Sequence, residues 1–150
     1  MEFRSQQLLE EAKSKMRANH PGRAADFAYE AETAFYSATK DAKSYLKTVQ
    51  AYQKKEIKSN AARLHDLVVR MLRAFPSDEA VLKQAEKWAK SAAETGGLSE
   101  YYLTLAEVYK RQGKRDKARA AAQKALDAAK SSANGMDGKV EYFLRDLEED

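Results

Sequence analysis

Apolar residues recur at three- and four-residue intervals along nearly the whole chain, which is the spacing of one face of an α-helix. In the first third, this pattern predicts helices over residues 3–19 and 22–39, and a third helix after Asp41, whose side chain can cap the first turn. Pro21 and Gly22 mark a turn between the first two helices. Neither proline nor glycine separates the second helix from the third, so the sequence leaves open whether they form one rod.

The same spacing predicts further helices after residue 59. The fourth helix follows Asn60 and ends before Pro76, because the residue before a proline avoids helical geometry. Ser77 is the predicted N-cap of the fifth helix and Ser99 that of the sixth. Two consecutive glycines, at 96–97, end the fifth helix.

The last two predicted helices complete an all-α chain. The seventh begins after Gly113, and the eighth covers residues 137–149. The apolar face of the eighth helix consists of Val140, Phe143, Leu144 and Leu147. The predicted fold class is therefore all-α, with seven or eight antiparallel helices according to whether the second and third are fused.

A triplet of alanines spaced by four and then three residues occurs three times. The copies are Ala24/Ala28/Ala31, Ala85/Ala89/Ala92 and Ala118/Ala122/Ala125. The second and third copies start 33 residues apart (85 to 118), whereas the first and second start 61 apart (24 to 85). Small side chains let neighbouring helices approach closely. We therefore expect these faces to be buried against adjacent helices, with one extra helix between the first two copies.

Residues 99–132 form a helix–turn–helix of repeat length and resemble a tetratricopeptide repeat. The positions that match the family pattern are Tyr102, Leu105, Ala106, Tyr109, Ala118, Ala122 and Ala125. More degenerate copies lie near 3–36 and 59–97. The resemblance implies one helical-repeat domain over residues 1–150, capped by the helix at 137–149. It also implies a non-enzymatic module that binds a protein or peptide, since such repeats are usually binding scaffolds.

Residues 82–94 and 101–130 are also similar to the helical segment that follows the thioredoxin-like domain in some bacterial envelope proteins. This likeness implies an alternative function, an accessory structural or regulatory domain of a larger bacterial protein, located in the envelope if the chain is a fragment. The chain contains no cysteine, so it can form no disulfide and the redox activity of such proteins does not transfer to it.

The first helix of a tetratricopeptide repeat usually lines the concave surface. Tyr101 and Tyr102 are consecutive and cannot both point inward; Tyr102 matches the family's large buried position, so Tyr101 is expected to face outward. The candidate partner-binding groove therefore consists of Glu100, Tyr101, Leu103, Thr104 and Glu107. Because these polar positions are acidic or neutral, we predict no clamp for a C-terminal carboxylate.

The net charge of +4 is unevenly distributed. Residues 98–135 carry eight Lys/Arg against four Asp/Glu, and residues 136–150 carry two against six. The acidic end can pair with the basic segment, or both can be solvated; we prefer solvation, because exposed ion pairs contribute little stability. The candidate basic patch is Lys110, Arg111, Lys114, Arg115, Lys117 and Arg119. Weak binding of nucleic acid or an acidic surface through this patch is a third hypothesis, ranked below a solvated turn.

The sequence predicts no enzyme, cofactor or metal site. The two histidines, His20 and His65, are far apart and do not have metal-ligand spacing, and no glycine-rich phosphate loop or nucleophile motif is present. No apolar run approaches the roughly 18 residues of a membrane span. The N-terminus lacks the apolar centre of a signal peptide, so we expect a soluble protein whose partner, compartment and oligomeric state are left open.

Overall fold

The computed structural model of the chain describes residues 5–132 and 135–149. Within them it contains eight α-helices and no strand, so the all-α fold class is confirmed. The helices are α1 (Gln6–Asn19), α2 (Ala24–Ala38), α3 (Ala42–Tyr52), α4 (Ala61–Ala74), α5 (Glu79–Gly96), α6 (Ser99–Arg111), α7 (Arg115–Ser132) and α8 (Asp137–Glu149). The regular antiparallel repeat array stays a prediction. Phe3, expected in the first helix, lies outside the described residues.

Helices α2 and α3 are separate, which answers the question that the sequence left open. Lys40 adopts a left-handed φ of 57°, so the helical path of α2 stops there. The Asp41 carboxylate then accepts a hydrogen bond from the Ser44 amide at 3.0 Å and caps α3, as predicted. A local polar side chain therefore restarts a helix where neither proline nor glycine interrupts the chain.

Two predicted N-caps are wrong by one position. The cap of α5 is Asp78 rather than Ser77, and its carboxylate accepts from the Val81 amide at 2.9 Å. A carboxylate at this position also meets the positive end of the helix dipole. The residue that precedes α6 is Leu98, and Ser99 is already helical. The Ser99 hydroxyl is buried and donates to the Ala125 carbonyl of α7 at 2.7 Å, so it ties two helices together instead of capping one.

The chain divides into two compact units, Unit 1 (Met1–Lys58) and Unit 2 (Ser59–Asp150). The interpretation of residues 1–150 as one domain stays a prediction, and each unit is described by itself below.

Unit 1 contains α1–α3, a 3₁₀ turn at Pro21–Arg23 and a π-helical turn at Gln53–Ile57. Its buried apolar side chains are Leu9, Tyr29, Ala31, Tyr45, Val49 and Ile57. Tyr52 stacks on Tyr29 with ring centroids 3.9 Å apart and donates to the Asp26 carboxylate at 2.8 Å. An aromatic pair and a few polar contacts therefore supplement a small apolar core.

Unit 2 contains α4–α8, and its core is long and apolar. Helix α4 buries Leu64, Leu67, Val68, Met71 and Leu72 along one face, and α5 adds Val81, Leu82 and Trp88. The second and third alanine triplets are buried as predicted, each alanine being at most 2% exposed. In the first triplet, which lies in Unit 1, only Ala31 is buried and Ala24 and Ala28 are half-buried. Close helix packing on alanine is therefore a property of Unit 2.

Candidate functional site: a groove between helices α6 and α8

A groove of about 360 Å³ runs between α6 and α8 in Unit 2. It is lined by Leu103, Thr104 and Glu107 from α6 and by Lys139, Tyr142, Phe143 and Asp146 from α8. Helical geometry accounts for both walls, because residues three, four and seven apart share a face. We call this surface the α6/α8 groove.

The walls of the α6/α8 groove combine apolar side chains with charged ones. Leu103 and Phe143 are half-buried, whereas Tyr142 is 68% exposed, which is unusual for an aromatic side chain that merely completes a core. At the acidic positions, Glu107 accepts a hydrogen bond from Arg111 at 2.7 Å and Asp146 pairs with Lys110. The Lys110 ammonium also lies 5.8 Å from the centroid of the Phe143 ring. Neighbouring side chains therefore hold the two carboxylates of the groove in place.

Helix α4 fixes the position of Thr104 from the other side. The Thr104 hydroxyl lies 3.0 Å from Nε2 of His65, in hydrogen-bonding distance. The His65 ring also packs on Tyr101, with centroids 4.6 Å apart, and its side chain is 16% exposed. His65 is thus half-buried and held by contacts with two residues of α6.

Three of the five predicted groove residues, Leu103, Thr104 and Glu107, line the α6/α8 groove. Glu100 is exposed and is not among the residues that line it. The expected orientations of the two tyrosines are reversed: Tyr101 is buried, at 7% exposed, and Tyr102 is only half-buried. The groove is therefore built from fewer α6 residues than the sequence suggested.

Gly96 explains the reversal. A Cβ on Gly96 would lie 2.7 Å from Cδ2 of Tyr101, so only a residue without a side chain leaves room for the ring. Burial raises the pKa of the Tyr101 phenol, and the nearby carboxylates of Glu100 and Asp66 raise it further. The sequence pattern identified Gly96 only as the end of a helix, and its second role as space for an aromatic ring was missed.

The α8 side of the groove was also missed. The sequence predicted the apolar stripe of α8, which includes Phe143 and in which Val140 and Leu147 are indeed buried. Tyr142 lies next to the stripe but off it. An aromatic residue on the polar side of an amphipathic helix is the signal that could have identified this wall.

Two cations of the predicted basic patch hold α8. Lys110 pairs with Asp146, and the Arg115 guanidinium donates to the Leu147 carbonyl. The preferred interpretation, in which the acidic end and the basic segment are both solvated, is therefore wrong at Lys110, while Arg115 bonds to the backbone of α8. Their partners lie 36 and 32 residues further along the chain, beyond the reach of any local pattern.

Two more patch cations join α6 and the turn that follows it to earlier helices. Arg111 donates to the Leu72 carbonyl of α4 at 2.8 Å, and Lys114 pairs with Glu86 of α5 at 2.7 Å. Arg119 is exposed on α7, and Lys117 lies over the Tyr109 ring at 5.8 Å. Most of the predicted patch therefore consists of tertiary contacts within Unit 2.

The described part of the chain holds neither a group of metal ligands nor a helix suited to spanning a membrane. Over residues 5–132 and 135–149, no three His, Asp or Glu side chains are grouped so that they could hold a metal ion. None of the helices in those ranges combines the length and the hydrophobicity that crossing a membrane requires.

The resemblances to a tetratricopeptide repeat and to an envelope-protein segment stay predictions. No protein-family model, curated protein or solved structure matches this chain.

Proposed function

We propose that this protein is a non-enzymatic binding module and that the α6/α8 groove of Unit 2 holds a segment of a partner protein. The observation that carries the proposal is Tyr142, a 68% exposed aromatic side chain beside an apolar depression. Tyrosines in such positions often supply a large share of binding energy, because they bury much area at a small entropy cost.

The side chains that line the α6/α8 groove indicate what kind of segment it binds. Leu103, Tyr142 and Phe143 suit one apolar side chain, since a volume of about 360 Å³ accommodates one such anchor with its flanking backbone. Glu107 and Asp146 disfavour a terminal carboxylate at the same place, so an internal segment fits better than a C-terminus. Lys139 can orient the segment through an acidic neighbour of the anchor.

The test is a selection of displayed random peptides against the full-length chain, followed by affinity measurement on the selected peptides by fluorescence anisotropy. We expect Tyr142→Ala to weaken binding by about tenfold or more, as loss of an aromatic hot spot does. Because the Tyr142 side chain is mostly exposed, the helix content measured by circular dichroism should not change.

The matched control is Leu98→Ala, which truncates another exposed apolar side chain of Unit 2, one that lies outside the groove. Peptide affinity should stay within about twofold of the wild type in this variant. Selected peptides that bind the Tyr142→Ala variant as tightly as the wild type, or that are lost equally with Leu98→Ala, would contradict the proposal.

A further inference from the structure

Helix α6 faces a second groove on its opposite side. Tyr102, Leu105 and Tyr109 form the floor of this second groove, since the turn of the helix places them away from Leu103 and Glu107. Helix α5 supplies Lys90 and Glu94 to one wall, and α7 supplies Lys117, Ala120, Ala121 and Lys124 to the other. The volume here is about 370 Å³.

A wider groove of about 740 Å³ lies next to this one, and Lys90 lines both. The wider part adds Lys83 and Lys87, which share a face of α5 with Lys90 because they are spaced by four and three residues. Lys114 lines its far side. We call the two neighbouring grooves together the lysine groove; its lysines are Lys83, Lys87, Lys90, Lys114, Lys117 and Lys124.

The lysines of this groove outnumber the carboxylates that pair with them. Glu86 pairs with Lys114 at 2.7 Å, and Glu94 lies 3.9 Å from Lys90. In the described ranges of the chain, no carboxylate lies within ion-pairing distance of Lys83, Lys87 or Lys124. These three cations stand along both walls, so the surface is complementary to an anionic segment that lies along it.

The floor of the lysine groove favours an acidic peptide over single-stranded nucleic acid. Single-stranded nucleic acid gains much of its affinity from bases that stack on open aromatic faces. Here the ammonium groups of Lys114 and Lys117 lie 5.9 and 5.8 Å from the centroid of the Tyr109 ring and compete with bases for it. Leu105 and Ala121 make the rest of the floor apolar, which suits aliphatic side chains better than phosphates.

We propose that the lysine groove binds an acidic peptide segment of a partner protein, one that carries apolar side chains between its carboxylates. The carboxylates pair with Lys83, Lys87 and Lys124 on the walls, and the apolar side chains rest on the floor beside Tyr102 and Leu105. This surface differs from the α6/α8 groove in position and charge, so either can bind without the other.

The experiment uses the full-length chain and three fluorescein-labelled probes in anisotropy titrations at near-physiological salt. The first probe is a peptide of Glu-Glu-Leu repeats, the second a peptide of Glu-Glu-Gly repeats with the same charge, and the third an oligothymidylate. We expect the Glu-Glu-Leu peptide to bind about tenfold more tightly than the Glu-Glu-Gly peptide, because only the former fills the apolar floor.

The variant that tests the site reverses two unpaired wall charges, Lys87→Glu with Lys124→Glu. Its control is Arg119→Glu with Lys130→Glu, which makes the same change in net charge at exposed positions of α7 outside the groove. We expect the first pair to weaken binding of the Glu-Glu-Leu peptide at least about tenfold and the control pair less than about threefold. Circular dichroism confirms that both variants are folded.

Each remaining outcome overturns the proposal. Equal losses in the two double variants indicate attraction by net charge alone. Equal affinity for the two peptides shows that the floor contributes nothing. Tighter binding of the oligothymidylate, lost with Lys87→Glu and Lys124→Glu, identifies a nucleic-acid surface instead, and the absence of saturable peptide binding removes the site altogether. Tyr142→Ala should leave all these titrations unchanged, which separates this result from the test of the α6/α8 groove.

Discussion

Unit 1 and Unit 2 use the same kind of sequence, amphipathic helices rich in alanine, yet they differ greatly in core. Among the described residues, six apolar side chains are buried in Unit 1 and twenty-five in Unit 2. The difference is far larger than the difference in length. Since buried apolar area is the main source of stability, we expect Unit 2 to be the more stable region and Unit 1 to open first.

The two units also differ in how polar groups support the packing. In Unit 1, Lys13 of α1 pairs with Glu10 and with Glu32 of α2. Partial burial by itself lowers the Lys13 pKa, but the hydrogen bonds with Glu32 and Glu10 outweigh it and raise the pKa overall. In Unit 2, comparable ion pairs are added to an apolar core that already exists. The same alanine spacing is therefore fully buried in Unit 2 and only partly buried in Unit 1.

The largest predicted difference in stability between the two units is at the alanine triplets. Ala122 of α7 is 0% exposed, so Ala122→Leu should overpack Unit 2 and lower its free energy of unfolding by about 2 kcal/mol. Ala28→Leu is the matched change in the first triplet, where the site is half-buried, and should cost less than about 1 kcal/mol. Urea unfolding followed by circular dichroism measures both. Equal costs at the two sites would show that the triplets are packed alike.

In Unit 2, the Tyr101 ring packs directly against Gly96. Gly96→Ala should force the Tyr101 ring out of its position and cost about 1 kcal/mol. In a Tyr101→Ala background the same change should cost much less, because the ring is gone and only the Ala61 Cβ, 3.2 Å from the added Cβ, still lies close. The double-mutant cycle should therefore give a coupling energy of about 1 kcal/mol. A coupling energy near zero would mean that Gly96 acts only as a helix terminator.

The smallest predicted effect depends on pH. Partial burial by itself raises the Glu86 pKa, but hydrogen bonds from Lys114 and Gln112 outweigh it and hold that pKa below its usual value of 4.5. The ionised Glu86 therefore stabilises Unit 2 above about pH 4.5, and this contribution is lost as the pH falls through the lowered pKa. Because the pair is partly solvated, we expect Glu86→Gln to cost only about 0.5 kcal/mol at neutral pH.

Unfolding of wild type and Glu86→Gln is measured in urea at neutral pH and again well below pH 4.5, where the difference should disappear. Glu94→Gln, on the same helix but with an exposed carboxylate, is the control and should show little dependence on pH. A Glu86→Gln cost that persists in acid would assign the effect to packing of the side chain and not to its charge.

Local signals predicted much of the fold. Helix positions, the Asp41 cap and the burial of two alanine triplets follow from spacing and from side chains within a few residues. On the α6 side of the candidate site, Leu103, Thr104 and Glu107 share one face, so their common placement was predictable in the same way.

What the sequence could not predict depends on contacts between distant residues. Tyr101 is buried because Gly96 leaves space for it and His65, 36 positions earlier (65 to 101), packs on its ring. The basic cluster looked like a solvated turn because the partners of Lys110 and Arg115 lie on α8. A run of charges cannot reveal partners more than thirty residues away, so the sequence pointed to a solvated turn and did not indicate that lysines of α5 share a groove with lysines of α7.

The central claim is that Unit 2 carries a sufficient core to fold and to form both grooves by itself. Every hydrogen bond and ion pair described above for Unit 2 joins two of its own residues. Trp88, the chain's single tryptophan, is buried in that core and reports its unfolding directly. The most direct test is a urea titration of residues 59–150 alone, followed by Trp88 fluorescence and compared with the full-length chain. We predict a cooperative transition at the same midpoint; an unfolded fragment, or a clearly lower midpoint, would contradict the account.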